Sequence, residues 1–183
     1  MKQRMTRVLA LGLVASVSLG AACSSGGDGQ TASPEKVLSI DRARIYESVA
    51  DISEESTLVA RVTILSSSPT AISDIAFTRH SARVDEVLAG EVVQGEIVTV
   101  RQAGDASVQG DHIPILEIGS TYVLLLVRHT DPRTGELLFL PTGATGVFAE
   151  SNGTLRHLDP ESALPPQEQV VSLDDFRLIL SGT

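Results

Sequence analysis

The chain has 183 residues, a formal net charge of −9, 42% hydrophobic and 3% aromatic residues, and no tryptophan. There is room for one domain and a leader, and the core has to come from Val, Leu and Ile, which favour strands. So acidic a surface repels nucleic acid and anionic headgroups, which argues against either as an electrostatic partner.

In chain order, Lys2, Arg4 and Arg7 form a basic start, and Val8 to Gly20 is an apolar run too short to span a bilayer comfortably. Leu19-Gly20-Ala21-Ala22-Cys23 follows, with Ser24-Ser25 behind it. This resembles the lipobox of bacterial lipoproteins, which implies a signal peptide over residues 1–22 and a diacylated Cys23 as the mature N-terminus. Gly20 stands where that family prefers a large aliphatic residue, which leaves ordinary signal-peptidase cleavage near Ala22 as the alternative. Cys23 is the single cysteine, so no disulfide can form within the chain. Two acyl chains, at about 0.8 kcal/mol per buried CH₂, suffice for a stable anchor. Loss of the leader removes three cations and no acid, taking the formal charge to −12.

Residues 23–36, mostly SSGGDGQTASPEK, are small and polar and read as a flexible tether. Residues 37–183 then form a single β-rich domain. Ile45, Val49 and Ile52 recur at helical spacing, which predicts a short helix over Asp41–Ala50, capped by Ser39 or Asp41 and closed by Ser53-Glu54-Glu55-Ser56. Leu58–Leu65 reads as a strand ended by Ser66-Ser67-Ser68-Pro69. Phe77–Leu88 is a longer, more polar strand; Ala82 and Val84 point one way, Arg83 and Asp85 the other, and Val87 falls out of phase, which predicts a bulge near Asp85-Glu86. Ala89-Gly90-Glu91 turns the chain, Ile97–Arg101 is a strand, and Ala103–Gly110 a loop. Tyr122–Val127 is apolar without a break, the pattern of a strand covered on both faces.

The Asp131–Gly135 loop turns the chain into Leu137–Leu140, which pairs back antiparallel. Val147–Glu150 and Thr154–Leu158 flank Asn152-Gly153, the strongest two-residue hairpin signal. Asn152-Gly153-Thr154 also fits a glycosylation acceptor, although the turn alone accounts for it. Pro165-Pro166 reads as a linker, and Ser172-Leu173-Asp174-Asp175 as a capping box opening a helix over Leu173–Leu180. Six or seven strands and two short flanking helices make a mainly β fold: a small antiparallel barrel or strongly bent sheet.

The succession Val84-Asp85-Glu86-Val87-Leu88-Ala89-Gly90-Glu91, a Val-Thr-Val strand, and Leu116-Glu117-Ile118-Gly119-Ser120-Thr121-Tyr122-Val123-Leu124-Leu125 resembles the V-x-x-V-x-K-G … V-x-V … L-x-x-G-x-x-Y-L-L-F-L pattern of uncharacterised Gram-positive exported proteins. It is more distantly similar to the OB-type barrel of netrin-like and metalloproteinase-inhibitor domains. The resemblance covers roughly residues 57–150 and implies a scaffold rather than an activity. Inhibitors of that superfamily ligate zinc through an N-terminal cysteine. Here Cys23 lies far from the first strand and reads as acylated, so that mechanism does not carry over.

Of His80, His112, His129 and His157, no two have the spacing of a metal-binding pair, and no cysteine remains as a ligand. Asp111-His112 and His129-Thr130-Asp131 set acid beside imidazole in turn-rich stretches. Asp85-Glu86 and Glu54-Glu55 could serve as general acid and base, but solvated charges at element ends explain them more simply. There is no G-x-S-x-G elbow and no P-loop. Arg79, Arg83 and Arg101 could share one face of neighbouring strands, to hold an anionic ligand or, as the preferred reading, to neutralise nearby carboxylates.

These signs point to a non-enzymatic binding module, tethered outside the membrane, that contacts an envelope protein or small ligand without metal or cofactor. The alternatives are an envelope hydrolase with a site assembled from distant residues, and an inhibitor of an exported protease presenting a rigid loop at Ala103–Gly110.

Overall fold

The computed structural model describes residues 45–105, 114–143 and 145–182. The leader, Cys23, the tether, Asp41, most of the Ala103–Gly110 loop, Asp111 and His112 lie outside the described residues. Among those described, no helix is long and apolar enough to cross a membrane.

The domain is mainly β. Its strands are β1 (Leu58–Ile72), β2 (Ile75–Gly90), β3 (Ile97–Ala103), β4 (Thr121–Thr130), β5 (Leu137–Pro141), β6 (Val147–Ser151), β7 (Thr154–His157) and β8 (Val170–Ser172). The sheet order is β1-β2-β3-β5-β4-β6-β7-β8, and β1 also pairs with β4. Five strands therefore close a ring, β1-β2-β3-β5-β4. Its antiparallel pairings are broken once, where β3 meets β5 in parallel at Val100 and Phe139. Among the described residues three helices accompany the sheet: α1 (Val49–Glu55), α2 (Pro166–Gln169) and α3 (Leu173–Ser181).

β4 explains the architecture. Tyr122, Leu124 and Leu126 point into the ring, where they meet Leu58, Ala60, Val62, Ala82, Val98, Val100 and Phe139. Val123 and Leu125 point the other way, into a second core with Val49, Ile52, Phe148, Leu155 and Phe176. The run lacks alternation because both its faces are dry. β1 does the same with Val59, which belongs to the second core while its neighbours fill the ring.

A long ribbon of β1 and β2 has to curve around the ring, and three register shifts supply the bend. Asp85 is one extra residue, where the lost phase predicted it; Leu88 and Leu65 are the others. Both backbone groups of Leu125 bridge the gap between β5 and β6, its N–H to the Gly146 carbonyl at 2.9 Å and its carbonyl to the Thr142 N–H at 2.9 Å. A Cβ on Gly146 would sit 2.6 Å from the Leu125 carbonyl oxygen, so only glycine fits this junction.

Several expectations need correction. β1 does not stop at Ser66–Pro69 but runs to Ile72, and β2 begins at Ile75. The turn between them places Ser73 and Asp74 at positive φ without a glycine to announce it. Pro69 is tolerated because, among the described residues, the outer edge of β1 pairs with β4 only as far as Thr63. The first helix starts later than its spacing implied: Ser48 caps it, accepting from the Asp51 N–H at 3.1 Å, and Ile45 lies exposed ahead of it. Ser53, Glu54 and Glu55 are thus part of the helix, and Ser56 ends it. The Pro165-Pro166 linker contains a helical turn, α2, followed by the short strand β8, which makes eight strands and three helices among the described residues. The Asn152-Gly153 hairpin forms with both residues at positive φ, and Ser172 caps α3 through the Asp175 N–H.

Candidate functional site

β2 from Thr78 to Val84, and β3 along its length, alternate between the ring interior and the outer face, which sorts their functional side chains onto two faces. Outside stand Arg79 and Arg83 of β2 and Arg101 of β3. Arg79 and Arg101 are direct cross-strand partners. Like charges in that position repel, so the arrangement needs acids, and the β4–β5 loop supplies them. Arg101 Nη1 donates to Asp131 Oδ2 at 3.0 Å, and Arg79 donates to Glu136. Arg83 pairs with Asp85 on its own strand, its Nε 2.9 Å from Oδ1. Arg101 also lies over the Phe77 ring, 5.4 Å from its centroid, and its buried Nε meets no acceptor among the described residues.

Asp131 is the hinge of this loop. Its Oδ1 accepts from the Arg133 N–H at 2.9 Å, and its backbone closes the turn with Gly135 and Glu136. That backbone bond from Arg133, another from Thr134, and the charges of Arg133 and Arg101 hold its carboxyl below the usual range, against a burial that pushes it up. The Arg133 side chain stands more than half exposed beside it, Nε 3.9 Å from Oδ1. Spacing in the sequence could not place Arg133 here; only the fold of the β4–β5 loop does. The three arginines singled out from sequence do share one face, and each holds a carboxylate.

The inner face of the same strands carries a different chemistry. Thr78, His80 and Gln102 are buried among aliphatic side chains at one end of the ring. Ser67 Oγ lies 2.7 Å from His80 Nδ1, and His80 Nε2 lies 3.3 Å from Gln102 Oε1. Gln102 is oriented independently, since its amide NH₂ donates to the Pro114 carbonyl at 3.0 Å while Oε1 accepts from the Leu116 N–H at 3.2 Å. Its oxygen therefore faces the imidazole, which fixes the proton on Nε2 and leaves Nδ1 to accept from the Ser67 hydroxyl. Burial pushes the imidazole below its ordinary value of 6.5, and the Gln102 bond only partly offsets that.

The other candidates separate. His157 belongs to the helix-covered side, its Nε2 donating to the Thr145 carbonyl at 2.8 Å and its ring packed on Phe148. His129 sits toward the far end of β4, opposite Leu138. Of the acid pairs, Asp85 takes Arg83, whereas Glu86 is gripped by Arg177 of α3 at 2.8 Å. Glu55 accepts from the Tyr46 hydroxyl at 2.5 Å, while Glu54 is exposed. Among the described residues, no three His, Cys, Asp or Glu side chains gather as a metal site. Comparison with protein-family models, curated proteins and solved structures finds no match to this chain.

Proposed function

We propose that the chain is an exported, lipid-anchored module of the cell envelope that binds a partner on the outer face of β2 and β3. The lipobox-like run ending at Cys23 supports the anchor. The ring order β1-β2-β3-β5-β4 supports the OB-type scaffold, whose recognition surface is the face of strands 2 and 3 with the loops joining strands 1–2 and 4–5. The observation that carries the reading is that Arg79 and Arg101 meet on that face, beside Arg133 of the β4–β5 loop. A net charge of −12 on the mature chain disfavours nucleic acid and other polyanions there. A protein or small ligand offering one or two acidic groups fits better: it would pair Arg133, more than half exposed and 3.9 Å from Asp131, and compete with Glu136 for Arg79, while Arg101 stays with Asp131.

The rival reading, an envelope hydrolase, would draw on the Ser67–His80 contact, a hydroxyl beside an imidazole. The second nitrogen of that imidazole meets a neutral amide, not a carboxylate, and its burial disfavours the imidazolium that general-base catalysis forms. The binding module is the stronger reading on that ground.

The test places a photoreactive side chain at Thr99, on the same outer face, in the anchored protein in intact cells. A crosslinked adduct of defined mass, lost in the Arg79→Gln/Arg101→Gln double variant, is expected. An adduct that persists unchanged in the double variant, or turnover of ester or peptide substrates abolished by Ser67→Ala, would overturn this function.

A further inference from the structure

We propose that His80 is an acid-sensitive latch: while neutral it holds Pro114 and Leu116, through Gln102, and the Ser67 end of the β1–β2 ribbon against the ring, and on protonation it releases them. The proposal is independent of what the arginine face binds.

The geometry places the imidazole at the crossing of two tethers, with a third beside it. Through Nδ1 it takes the hydroxyl of Ser67, on the part of β1 that has already parted from β4. Through Nε2 it takes Gln102 Oε1, the same atom that accepts the Leu116 N–H. The Gln102 NH₂ holds the Pro114 carbonyl, so Pro114 and Leu116 are both hydrogen-bonded to this one side chain, while the Leu116 side chain is buried in the ring. The departing end of the β3–β4 connection is pinned beside it, where the Thr78 hydroxyl donates to the Gly104 carbonyl at 2.9 Å and the Gly104 N–H donates to the Ala76 carbonyl at 2.9 Å.

Among the described residues packed around this hub, none offers a charge to stabilise a cation. Ser67 faces His80 from β1, Val100 and Gln102 from β3, Thr78 and Ala82 flank it on β2, and Leu116 closes the connection. None of these titrates or carries charge. Asp111 and His112 belong to the same connection but lie outside the described residues, so the experiment controls for His112. Protonation need not break either bond of the ring, because Ser67 can accept as well as donate. What it costs is the burial of a charge in an aliphatic ring, and water can relieve that cost by entering beyond Thr63, where β1 has no second partner among the described residues.

The sign follows from linkage. A folded-state value below the ordinary 6.5 means that the closed state gains nothing from this group above that pH. As pH falls from 6.5 toward the folded-state value, the closed state weakens by up to about tenfold per pH unit relative to the open one. The experiment is amide hydrogen exchange on the full chain between pH 7.5 and 5, corrected for intrinsic exchange. Protection of the Leu116 amide should fall steeply below about pH 6.5, while Leu124 and Leu125 in β4 keep theirs. His80→Gln, which stays neutral, should remove the pH dependence; His112→Gln and His129→Gln should leave it.

Protection of Leu116 that is flat across the range, a fall shared equally by β4, or a dependence carried by His112 would overturn the proposal. Should His80→Gln fail to fold, the wild-type imidazole decides by its own NMR titration. A His80 that titrates at or above 6.5, or out of step with the Leu116 amide, refutes the latch.

Discussion

Leu125→Ala tests the claim that one strand serves two cores. Leu125 is fully buried on the helix-covered face of β4, among Val59, Val123, Phe148, Leu155 and Phe176. The substitution removes three carbons, roughly 2.4 kcal/mol of transfer free energy at about 0.8 kcal/mol per carbon. A cavity contribution adds to this, and here the site collapses poorly. The Leu125 backbone is fixed on both sides, to Gly146 and to Thr142, and the opposing rings of Phe148 and Phe176 brace each other at 5.2 Å between centroids. The total should therefore fall near the middle of the measured range for such changes, about 3–4 kcal/mol. Urea melts followed by far-UV circular dichroism would read this as a lower midpoint at unchanged slope. Leu124→Ala, one residue away and inside the ring, should lose a similar amount from the other core. A loss below about 1 kcal/mol at Leu125 would show that its face is not covered, and with it the two-core account of β4 would fail.

Gly146→Ala should cost about 1–3 kcal/mol in the same melts, because its Cβ would press on the Leu125 carbonyl oxygen and the Thr142 nitrogen at 2.6 and 2.9 Å. Gly153→Val should lower the thermal midpoint although nothing lies within 4 Å of a Cβ there, since a β-branched side chain is strained at φ +77°; an unchanged midpoint would refute the type I′ turn. Cys23→Ser should abolish fatty-acid labelling and release the protein from membranes. Equal partitioning of both forms without labelling would rule out the lipid anchor and favour ordinary cleavage near Ala22.

What could be read from the sequence was whatever a single strand or turn encodes by itself. Tyr122–Val127 announced a doubly covered strand because burial on two faces removes alternation locally. Asn152-Gly153 announced its hairpin, and the lost phase at Val87 announced the bulge at Asp85. The failures came where tertiary context overrode local chemistry. Ser66-Ser67-Ser68-Pro69 carries the composition of a turn, yet it is strand, because β2 offers it a continuous partner and its other edge pairs with none of the described strands, which forgives the proline. The turn actually used, Ser73-Asp74, needs positive φ at two residues with side chains, a choice that composition does not reveal. The short β8 and α2 depend on packing against β7 and have little pattern of their own.

The same distinction runs through the chemistry. Arg79, Arg83 and Arg101 could be placed on one face from alternation alone, since that needs only the period of two within each strand. That Arg79 stands opposite Arg101 and not opposite Thr99 is a matter of register between strands, and register is set by the β2–β3 connection together with the ring that closes around it. The Ser67–His80–Gln102 chain depends on register twice over, first across β1 and β2 and then across β2 and β3. The extra residue at Leu65 decides the first of these. Counted without that bulge from the Ile64–Ala82 pair, β1 residue 66 would face His80 and Ser67 would face Arg79, placing a different serine against the imidazole. A serine, a histidine and a glutamine separated by 13 and 22 residues thus become one hydrogen-bonded line only after a bulge has been made. No spacing rule applied to the sequence could have selected Ser67 from the three serines in a row, and the one selected is the one whose hydroxyl the buried imidazole requires.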